Sequence, residues 1–329
     1  LRVGLAETGN TAITANSLFP ALGTYGPELY GDQTAIAFEN VGNADLKWET
    51  TTKTNIGLDF GILNNRISGS VDVFKSETKD LILAAPSPPV LGIPGNTINL
   101  NVGQMENRGI EIALNTTNIQ NGDFSWTTSF NATMIKNEVT ALSNDNSDII
   151  SVFNIVRVGE PIGTLYGLKG MGVNPANGNP LYETQDGRLI QGNADDNSYY
   201  LYDPENPNEL TPTTALSATT DKFLLGQTNP KVFGGLTNSV TFKGFDLNVV
   251  LTYAMGQNVF NGTRQNGLTM FFQNNTSEIK NRWTPANPNT NVPRLSLNND
   301  NFYNLSSSLN AGNAQSTWVE KGDYVRIQN

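Results

Sequence analysis

The stretch from Leu58 to Thr78 reads LDFGILNNRISGSVDVFKSET, and apolar residues recur at every second position on both sides of LNN. Successive side chains of a strand point to opposite faces, so this period predicts two strands joined by a tight turn. The fold depends on what covers the apolar face, a protein core or lipid. The alternating apolar residues are Leu58, Phe60, Ile62, Ile67, Val71 and Val73.

The same alternation recurs along the chain, and it predicts an all-β fold of about eight antiparallel strands. No segment of convincing length has the 3.6-residue period of a helix. The other alternating segments are LRVGL (1–5), NRGIEIALNTT (107–117), FSWTTSFNATM (124–134), KVFGGLTNSVTF (231–242), GFDLNVVLTYAMG (244–256) and the final WVEKGDYVRIQN (318–329).

Short and long connections alternate between these strands. The tight turns are LNN (63–65), IQNGD (119–123) and KG (243–244), and the long connections are roughly 9–45, 84–101, 142–228 and 261–316. An up-and-down sheet then has every short turn at one end and every long connection at the other. Outer-membrane β-barrels have this arrangement, with short periplasmic turns and long extracellular loops. We expect local strands within 142–228, because structureless loops of that length are uncommon.

Aromatic residues cluster near the short turns, as expected for the girdle at one membrane interface. The alternative is a soluble β-sandwich that packs these rings inside. Patterned segments of roughly 11–17 residues favour the barrel, because strands of globular sheets have a modal length of about 5–6. The girdle candidates are Phe60, Phe124, Trp126, Phe242 and Phe245.

Composition excludes several classes of function. The 329-residue chain has a net charge of −10, which disfavours nucleic acid as a partner. It contains no Cys and no His, so disulfides, the usual zinc sites and an imidazole base are excluded. There is no apolar run of about 20 residues that would predict a transmembrane helix. LRVGLAETGN (1–10) lacks the basic and apolar regions of a signal peptide.

Several phrases together resemble the barrel of SusC/RagA-type TonB-dependent receptors, in the order of that family. They are NADLKWETTTKTNIGLDFGILNNRISGSVDVFKSETKDLI (43–82), NVGQMENRGIEIAL (101–114), VGEPIGTLYGLKGMGV (158–173), LGQTNPKVFGGLTNSVTFKGFDLNVVLTYAMGQNVFN (225–261), RWTPANP (282–288) and WVEKGDYVRIQN (318–329). The likeness covers nearly the whole chain.

The resemblance implies an importer in the outer membrane of a Bacteroidota-type bacterium. Such receptors have a 22-stranded barrel closed by an N-terminal plug, and TonB energises them through that plug. A SusD-like surface lipoprotein caps the mouth and helps to capture oligosaccharides or peptides. We therefore expect residues 1–329 to be a partial barrel within the lipid, with the plug and the last strands lying outside this chain.

Polar residues that alternate with the apolar ones are predicted to line the barrel interior. They would either contact plug and cargo or be solvated by the lumen. The sequence itself identifies no substrate-binding residue, metal ligand or cofactor site. The predicted lumenal residues are Asn55, Asp59, Ser68, Ser70, Asp72, Glu111, Asn115, Asp246 and Asn248.

The remaining motifs do not predict an enzyme. The acidic stretch 193–209 lacks EF-hand spacing and is interpreted as a solvated loop rather than a calcium site. The glycines of GLKGMG (167–172) are interpreted as turn residues. Asp195 and Asp196 are adjacent, and no carboxylate spacing suggests the cleft of a glycosidase. The alternatives left open are a soluble all-β carbohydrate-binding or adhesin module and a secreted glycosidase.

Aromatic residues of the long connections have two equally weighted roles. They would stack on sugars or dock the lid, or they would anchor the loops to each other. These residues are Tyr199, Tyr200, Tyr202, Phe271, Phe272, Phe302 and Tyr303.

Overall fold

The computed structural model describes residues 1–10, 21–142, 146–151, 153–193, 195, 198–217, 220–268, 274–296 and 315–328. The architecture of these residues is all-β, and the α-helix described among them is the five-residue α1 (Gly262–Asn266). Short 3-10 turns lie at Pro89–Leu91, Pro94–Asn96, Ser277–Asn281 and Ser316–Trp318. Within these ranges, no helix has the length and apolar character required to cross a bilayer.

The strands fall into four sheets. In chain order they are β1 (Arg2–Asn10), β2 (Thr24–Tyr30), β3 (Gln33–Asn40), β4 (Glu49–Ile62), β5 (Ile67–Pro86), β6 (Thr97–Asn121), β7 (Phe124–Leu142), β8 (Ile149–Ile150), β9 (Asn154–Val156), β10 (Thr164–Val173), β11 (Pro180–Glu183), β12 (Leu189–Asn193), β13 (Ser198–Leu201), β14 (Thr211–Pro212), β15 (Lys222–Gln227), β16 (Val232–Phe242), β17 (Phe245–Met255), β18 (Asn258–Phe260), β19 (Val319–Lys321) and β20 (Tyr324–Ile327).

The largest feature is an eight-stranded antiparallel meander, which we call the wall sheet. Its order is β1-β4-β5-β6-β7-β16-β17-β20, so neighbours in space follow one another along the chain. This confirms the predicted number of strands and the up-and-down order. Within the described residues, no pairing joins β1 to β20, so the wall sheet is open rather than a closed ring.

The three tight turns occur where the sequence predicts them, all at one end of the wall sheet. Leu63, Asn64 and Asn65 each have a positive φ, between 52° and 63°. The β6–β7 turn is Gly122–Asp123, and the β16–β17 turn is Lys243–Gly244. Asn and Gly adopt left-handed φ at little cost, which explains why these residues allow the chain to reverse so sharply.

One predicted connection is too long. The sequence predicts a loop over 84–101, but β5 and β6 continue pairing to Pro86 and Thr97, which leaves only residues 87–96 between them. Apolar alternation is lost there because the register shifts between Thr78 and Leu81. Asp80 lies at this shift with a φ of 56°. Backbone pairing therefore continues in a region where the sequence no longer alternates between apolar and polar residues.

The long connection between β7 and β16 folds into a second eight-stranded sheet, which we call the loop sheet. Its order is β14-β13-β12-β11-β10-β9-β8, and β15 also pairs with β10. This confirms that the connection contains local strands. The other long connections carry the hairpin β2–β3, the pair β18–β19 and α1.

The packed cores lie at the long-connection end. One cluster joins β8 to the ends of β5, β6 and β7 that are farthest from the tight turns. Another cluster lies within the loop sheet. A third surrounds Trp318. Their buried residues are Ala85, Val102, Val139, Leu142 and Ile149 for the first, Leu168, Tyr182, Ile190 and Leu216 for the second, and Leu268, Val292 and Trp318 for the third.

Candidate functional site: a two-faced sheet and the pocket on its polar face

The register of the wall sheet gives it one apolar face and one polar face. Ile56, Val73, Ile110 and Met134 pair in sequence across four adjacent strands, so all four side chains point to the same side. None of them is buried, and Ile56 and Val73 are each 53% exposed. The apolar face is therefore uncovered by any described part of the chain, although burial of such side chains is strongly favourable in water.

Aromatic side chains mark the short-turn end of the apolar face. Phe124, Phe242 and Phe245 form one cross-strand row, and the rings of Phe124 and Phe242 meet edge to face with 6.1 Å between centroids. Trp126 lies one row above and donates its indole N–H to Asn238 Oδ1 at 3.0 Å. Phe60 shares the face and lies against Gly69. The predicted girdle residues thus share one face, and three of them are direct neighbours.

The predicted lumenal residues all lie on the polar face. Asp72 pairs with Glu111, and Ser68 pairs with Asn115, which places these side chains opposite the apolar set. Arg2 bridges Asp59 at 3.1 Å and Asp72 at 2.9 Å. The other predicted members with this orientation are Asn55, Ser70, Asp246 and Asn248.

On β6, β7 and β16 the polar face is lined mainly by uncharged hydroxyl and amide groups. They include Asn107, Asn115, Thr117, Ser125, Thr127, Ser129, Asn131, Thr133, Thr237, Ser239 and Thr241. Such groups hydrate readily and place few fixed charges along the surface. The polar face can therefore contact a solvated path or another polar protein surface.

A cavity of about 670 Å³ lies on the polar face near its long-connection end. Met105, Ile135 and Phe233 contribute from the wall strands, and Pro161 and Ile162 contribute from the segment that precedes β10. The lining is predominantly apolar, in contrast with the hydroxyl-rich surface below it. Sequence alternation did not predict this pocket, because its walls come from segments far apart in the chain.

The segment GEPI (159–162) is fixed against the edge of β7 where that strand extends beyond β16. Gly159 N–H donates to the carbonyl of Val139, and Val139 N–H donates to the carbonyl of Glu160, both at 2.9 Å. Ile162 N–H donates to Asn137 Oδ1 at 2.7 Å. These bonds satisfy a strand edge and anchor the loop sheet directly above the pocket.

The loop sheet has the interior of a water-soluble domain. Ile190 is 1% exposed, and the buried Gln191 accepts hydrogen bonds from Asn174 at 2.9 Å and Asn177 at 2.8 Å. Burial raises the pKa of the Tyr199 phenol to about 12. Tyr199 packs against the cluster around Tyr182. Of the two roles considered for Tyr199, the structure thus favours anchoring of the loop.

In the acidic stretch 193–209, Asp195 is held in place by Arg294. Asp195 forms a 2.7 Å ion pair with Arg294 and accepts a hydrogen bond from Ser296 at 2.8 Å. The hydrogen bond from Arg294 is the main cause that lowers the pKa of the Asp195 carboxyl. Within the described residues, no group of three or more acidic side chains has the geometry of a metal site. Asp196 lies outside those residues.

The interpretation of GLKGMG (167–172) as a turn is wrong. These residues lie within β10, which pairs with β11 and β15. Gly170 requires its small size because an added Cβ would lie 2.5 Å from Thr317 Oγ1. Gly172 has a φ of 90° at an irregularity in the β10–β11 pairing. The glycines therefore allow close approach and a bulge within a strand.

The structure describes only some of the aromatic residues of the long connections. Tyr200 and Tyr202 are half-buried around β13, and Tyr202 N–H donates to the carbonyl of Leu189 at 2.8 Å. Phe271, Phe272, Phe302 and Tyr303 lie outside the described residues.

A meander with an exposed apolar face, an aromatic row at its short turns and a polar opposite face defines a segment of β-barrel wall. Residues 1–165 match the family model described as "TonB dependent receptor-like, beta-barrel". The chain belongs to this family of outer-membrane barrels, which confirms the resemblance seen in its sequence.

Relatives extend the match to the whole chain. TonB-dependent receptor P3 of Formosa agariphila is 28% identical over 100% of this chain, which covers 31% of that relative. TonB-dependent receptor SusC of Bacteroides thetaiotaomicron is 43% identical over 32% of this chain and 11% of its own length. The chain thus spans about a third of the relatives matched along its whole length.

A solved structure has the same fold. The RagAB peptide transporter superposes with a TM-score of 0.73 at 23% identity, over 99% of this chain and 33% of the transporter chain. The relatives are named as TonB-dependent receptors, and the structural neighbour is named as a peptide transporter.

Proposed function

We propose that the wall sheet is part of a closed transmembrane β-barrel in the bacterial outer membrane. The observation that carries this proposal is the exposure of large apolar side chains along the apolar face, while every packed core of the described chain lies at the long-connection end. A soluble sandwich would bury that face against a second sheet. The short turns are then periplasmic and the long connections, including 142–228, extracellular.

In this proposal, residues 1–329 form a partial barrel of a receptor with 22 strands and a plug. Two observations support a larger assembly. In the described part of the chain, the wall sheet ends in β1 and β20 with no pairing between them, and membrane strands need partners on both edges. The chain also matches only 31% of the length of its relative P3.

The proposed activity is TonB-dependent import of an oligosaccharide or a peptide, with a SusD-like lipoprotein as the lid of the barrel. Support comes from the family, from the relative named SusC and from the RagAB peptide transporter as structural neighbour. The polar face supplies a hydrated wall for the plug and the passing cargo. The cavity between Met105, Ile135 and Phe233 of the polar face and Ile162 then lies near the entrance of this path.

Import is tested by deleting the gene for the full-length receptor and measuring growth on single peptides and polysaccharides. We expect loss of growth on one class of nutrient, with growth on free monosaccharides and amino acids unchanged. Fractionation tests the location, since the receptor should require detergent for extraction. A receptor recovered as a water-soluble monomer, or a deletion strain with unchanged growth on every nutrient, would exclude the proposal.

A further inference from the structure

Three cations form a row across adjacent strands on the apolar face. Lys75 pairs directly with Arg108, and Arg108 pairs directly with Lys136. Neighbouring strands are about 4.8 Å apart, so the three side chains begin within about 10 Å of one another. We call these three residues the basic row. Each side chain is more than half exposed, with values of 52% for Lys75 and 58% for Arg108 and Lys136.

The basic row lies at the upper boundary of the apolar band. On β7, this face carries mainly apolar and aromatic side chains from Phe124 to Met134, with Thr128 as the one polar member, and Lys136 is the next residue on the same side. Ten residues at about 3.3 Å each, tilted by about 40°, span roughly 25 Å of membrane height. That height matches the apolar band of a membrane barrel, so Lys136 lies where lipid head groups begin.

A row of carboxylates lies next to the basic row, on the side away from the apolar band. Glu77, Glu106 and Glu138 pair across the same three strands, and we call them the acidic row. Glu138 lies 2.6 Å from Lys136. Arg108 is the least engaged cation, because its one ion pair within the described residues is a 3.8 Å contact with Glu106. Its guanidinium thus retains donors that no described carboxylate uses.

We propose that the basic row binds the phosphate groups of lipids in the outer leaflet of the membrane, with Arg108 as the central ligand. This inference rests on the proposed membrane location. The chemistry fits a phosphorylated lipid, because its acyl chains cover the apolar band while its anionic head group lies at the height of the basic row. Arginine presents a planar fork that matches phosphate oxygens, and the flanking lysines add positive charge within reach of the same group.

The alternative role is a lattice of surface ion pairs that needs no lipid. Exposed pairs of this kind contribute little stability, and a dianionic phosphate competes well for their cations. The two roles differ in what they predict for the acidic row. If the basic row binds phosphate, the carboxylate of Glu106 competes with the lipid. If the row is an ion-pair lattice, Glu106 and Arg108 are equivalent partners.

The test uses the full-length receptor, reconstituted in nanodiscs, with phosphorylated lipid A and its dephosphorylated form as probes. We expect the parent receptor to prefer the phosphorylated form. The Arg108→Gln variant should lower this preference about fivefold, and the triple variant K75Q/R108Q/K136Q should abolish it. Arg108→Lys should restore part of it. Glu106→Gln should leave the preference unchanged or raise it.

Lys53→Gln is the matched control, because Lys53 lies on the polar face over the ring of Phe74. It should leave lipid preference unchanged. Equal binding of both lipids by the parent, or parallel losses for E106Q and R108Q, would overturn the proposal. Displacement of the lipid by inorganic phosphate would indicate a free-anion site and also overturn it. Failure of the proposed location is distinct, because the parent would then be absent from the membrane fraction.

Discussion

The wall sheet exposes apolar side chains, whereas the loop sheet buries them. Leu247 on the wall sheet is 61% exposed, whereas Ile190 in the loop sheet is 1% exposed. Both sheets are antiparallel. In the proposed membrane location, the difference is the solvent that each sheet faces, because water drives apolar groups inward and hydrocarbon does not.

The comparison shows why one chain needs two kinds of stabilisation. The loop sheet depends on packed apolar clusters and on buried amide hydrogen bonds around Gln191. The wall sheet depends on its backbone pairing, which extends over 20 residues in β5 and 25 residues in β6. In lipid, unpaired backbone groups cost several kcal/mol each, so pairing along the length of each strand becomes the main constraint.

The largest expected effect tests the packed cores at the long-connection end, which bury apolar side chains away from water. Trp318 is fully buried against Leu268 and Val292. Trp318→Ala should destabilise the connection between β17 and β20 by about 3–5 kcal/mol, because it removes a large side chain and leaves a cavity. Hydrogen exchange of the full-length receptor should report faster exchange there, with the amount of assembled barrel unchanged.

The matched control is Trp48→Ala, since Trp48 is 68% exposed. An exposed substitution of this kind should change stability by less than about 0.5 kcal/mol. Equal exchange in both variants would contradict the assignment of a water-type core to this connection.

The next effect tests the lipid-facing side. Val249 lies on the apolar face midway along β17, between the aromatic row and the long-connection end. Val249→Lys should impair membrane assembly by about 2–4 kcal/mol, because a charge at the bilayer midplane is poorly solvated. The measurement is the yield of folded receptor in the outer membrane, judged by its heat-dependent mobility on gels.

The neighbouring Asn248→Lys supplies the control, because Asn248 points to the polar face. A lysine there faces water and should assemble normally. If both variants assemble equally well, the apolar face does not contact hydrocarbon, and the contrast between the two sheets loses its physical basis.

Local patterns predicted the wall sheet well. The order of the strands, the faces of residues such as Phe130 and Val240, and the positions of the tight turns all follow from period-two alternation and turn chemistry. The proposed barrel explains this success, because a strand in lipid must keep one apolar side along its whole span, so the pattern is regular.

The loop sheet and the pocket were less predictable. Short strands such as β11 (Pro180–Glu183) are too brief to show a period, and their partners are chosen by packing at a distance. Gly170 shows the same limit, because the side chain that requires its small size, Thr317, lies far along the chain. The basic row becomes visible only when the register aligns three separate strands.

A smaller effect concerns charges at the long-connection end. Arg264 lies 2.6 Å from Glu278, and its hydrogen bond is the main cause that lowers the Glu278 carboxyl pKa from the ordinary 4.5. Because the folded pKa is lower than the unfolded one, this pair stabilises the fold fully above pH 4.5. The contribution is lost as the pH falls through the depressed value.

We expect about 1–2 kcal/mol of loop stability to depend on this pair. Limited proteolysis between pH 7 and pH 3 should show that the connection from β17 to β20 becomes more susceptible in acid. Glu278→Gln should be more susceptible at pH 7 and respond less to acid. Arg264 also contacts Glu320 at 3.2 Å, so a residual response is expected from that carboxylate. A variant that keeps the full acid response would exclude Glu278 as its source.

The smallest effect lies at the opposite end, in the turn between β16 and β17. Lys243 has a φ of 45° and Gly244 a φ of 85°, the left-handed pair of a type I′ turn. Asn tolerates this φ better than Lys, so Lys243→Asn should stabilise the receptor by less than about 1 kcal/mol. Urea unfolding in lipid would measure the gain, and Gly244→Ala should have the opposite sign. An Asn that weakened the turn would show that position 243 depends on its charge at the membrane surface rather than on its backbone angle.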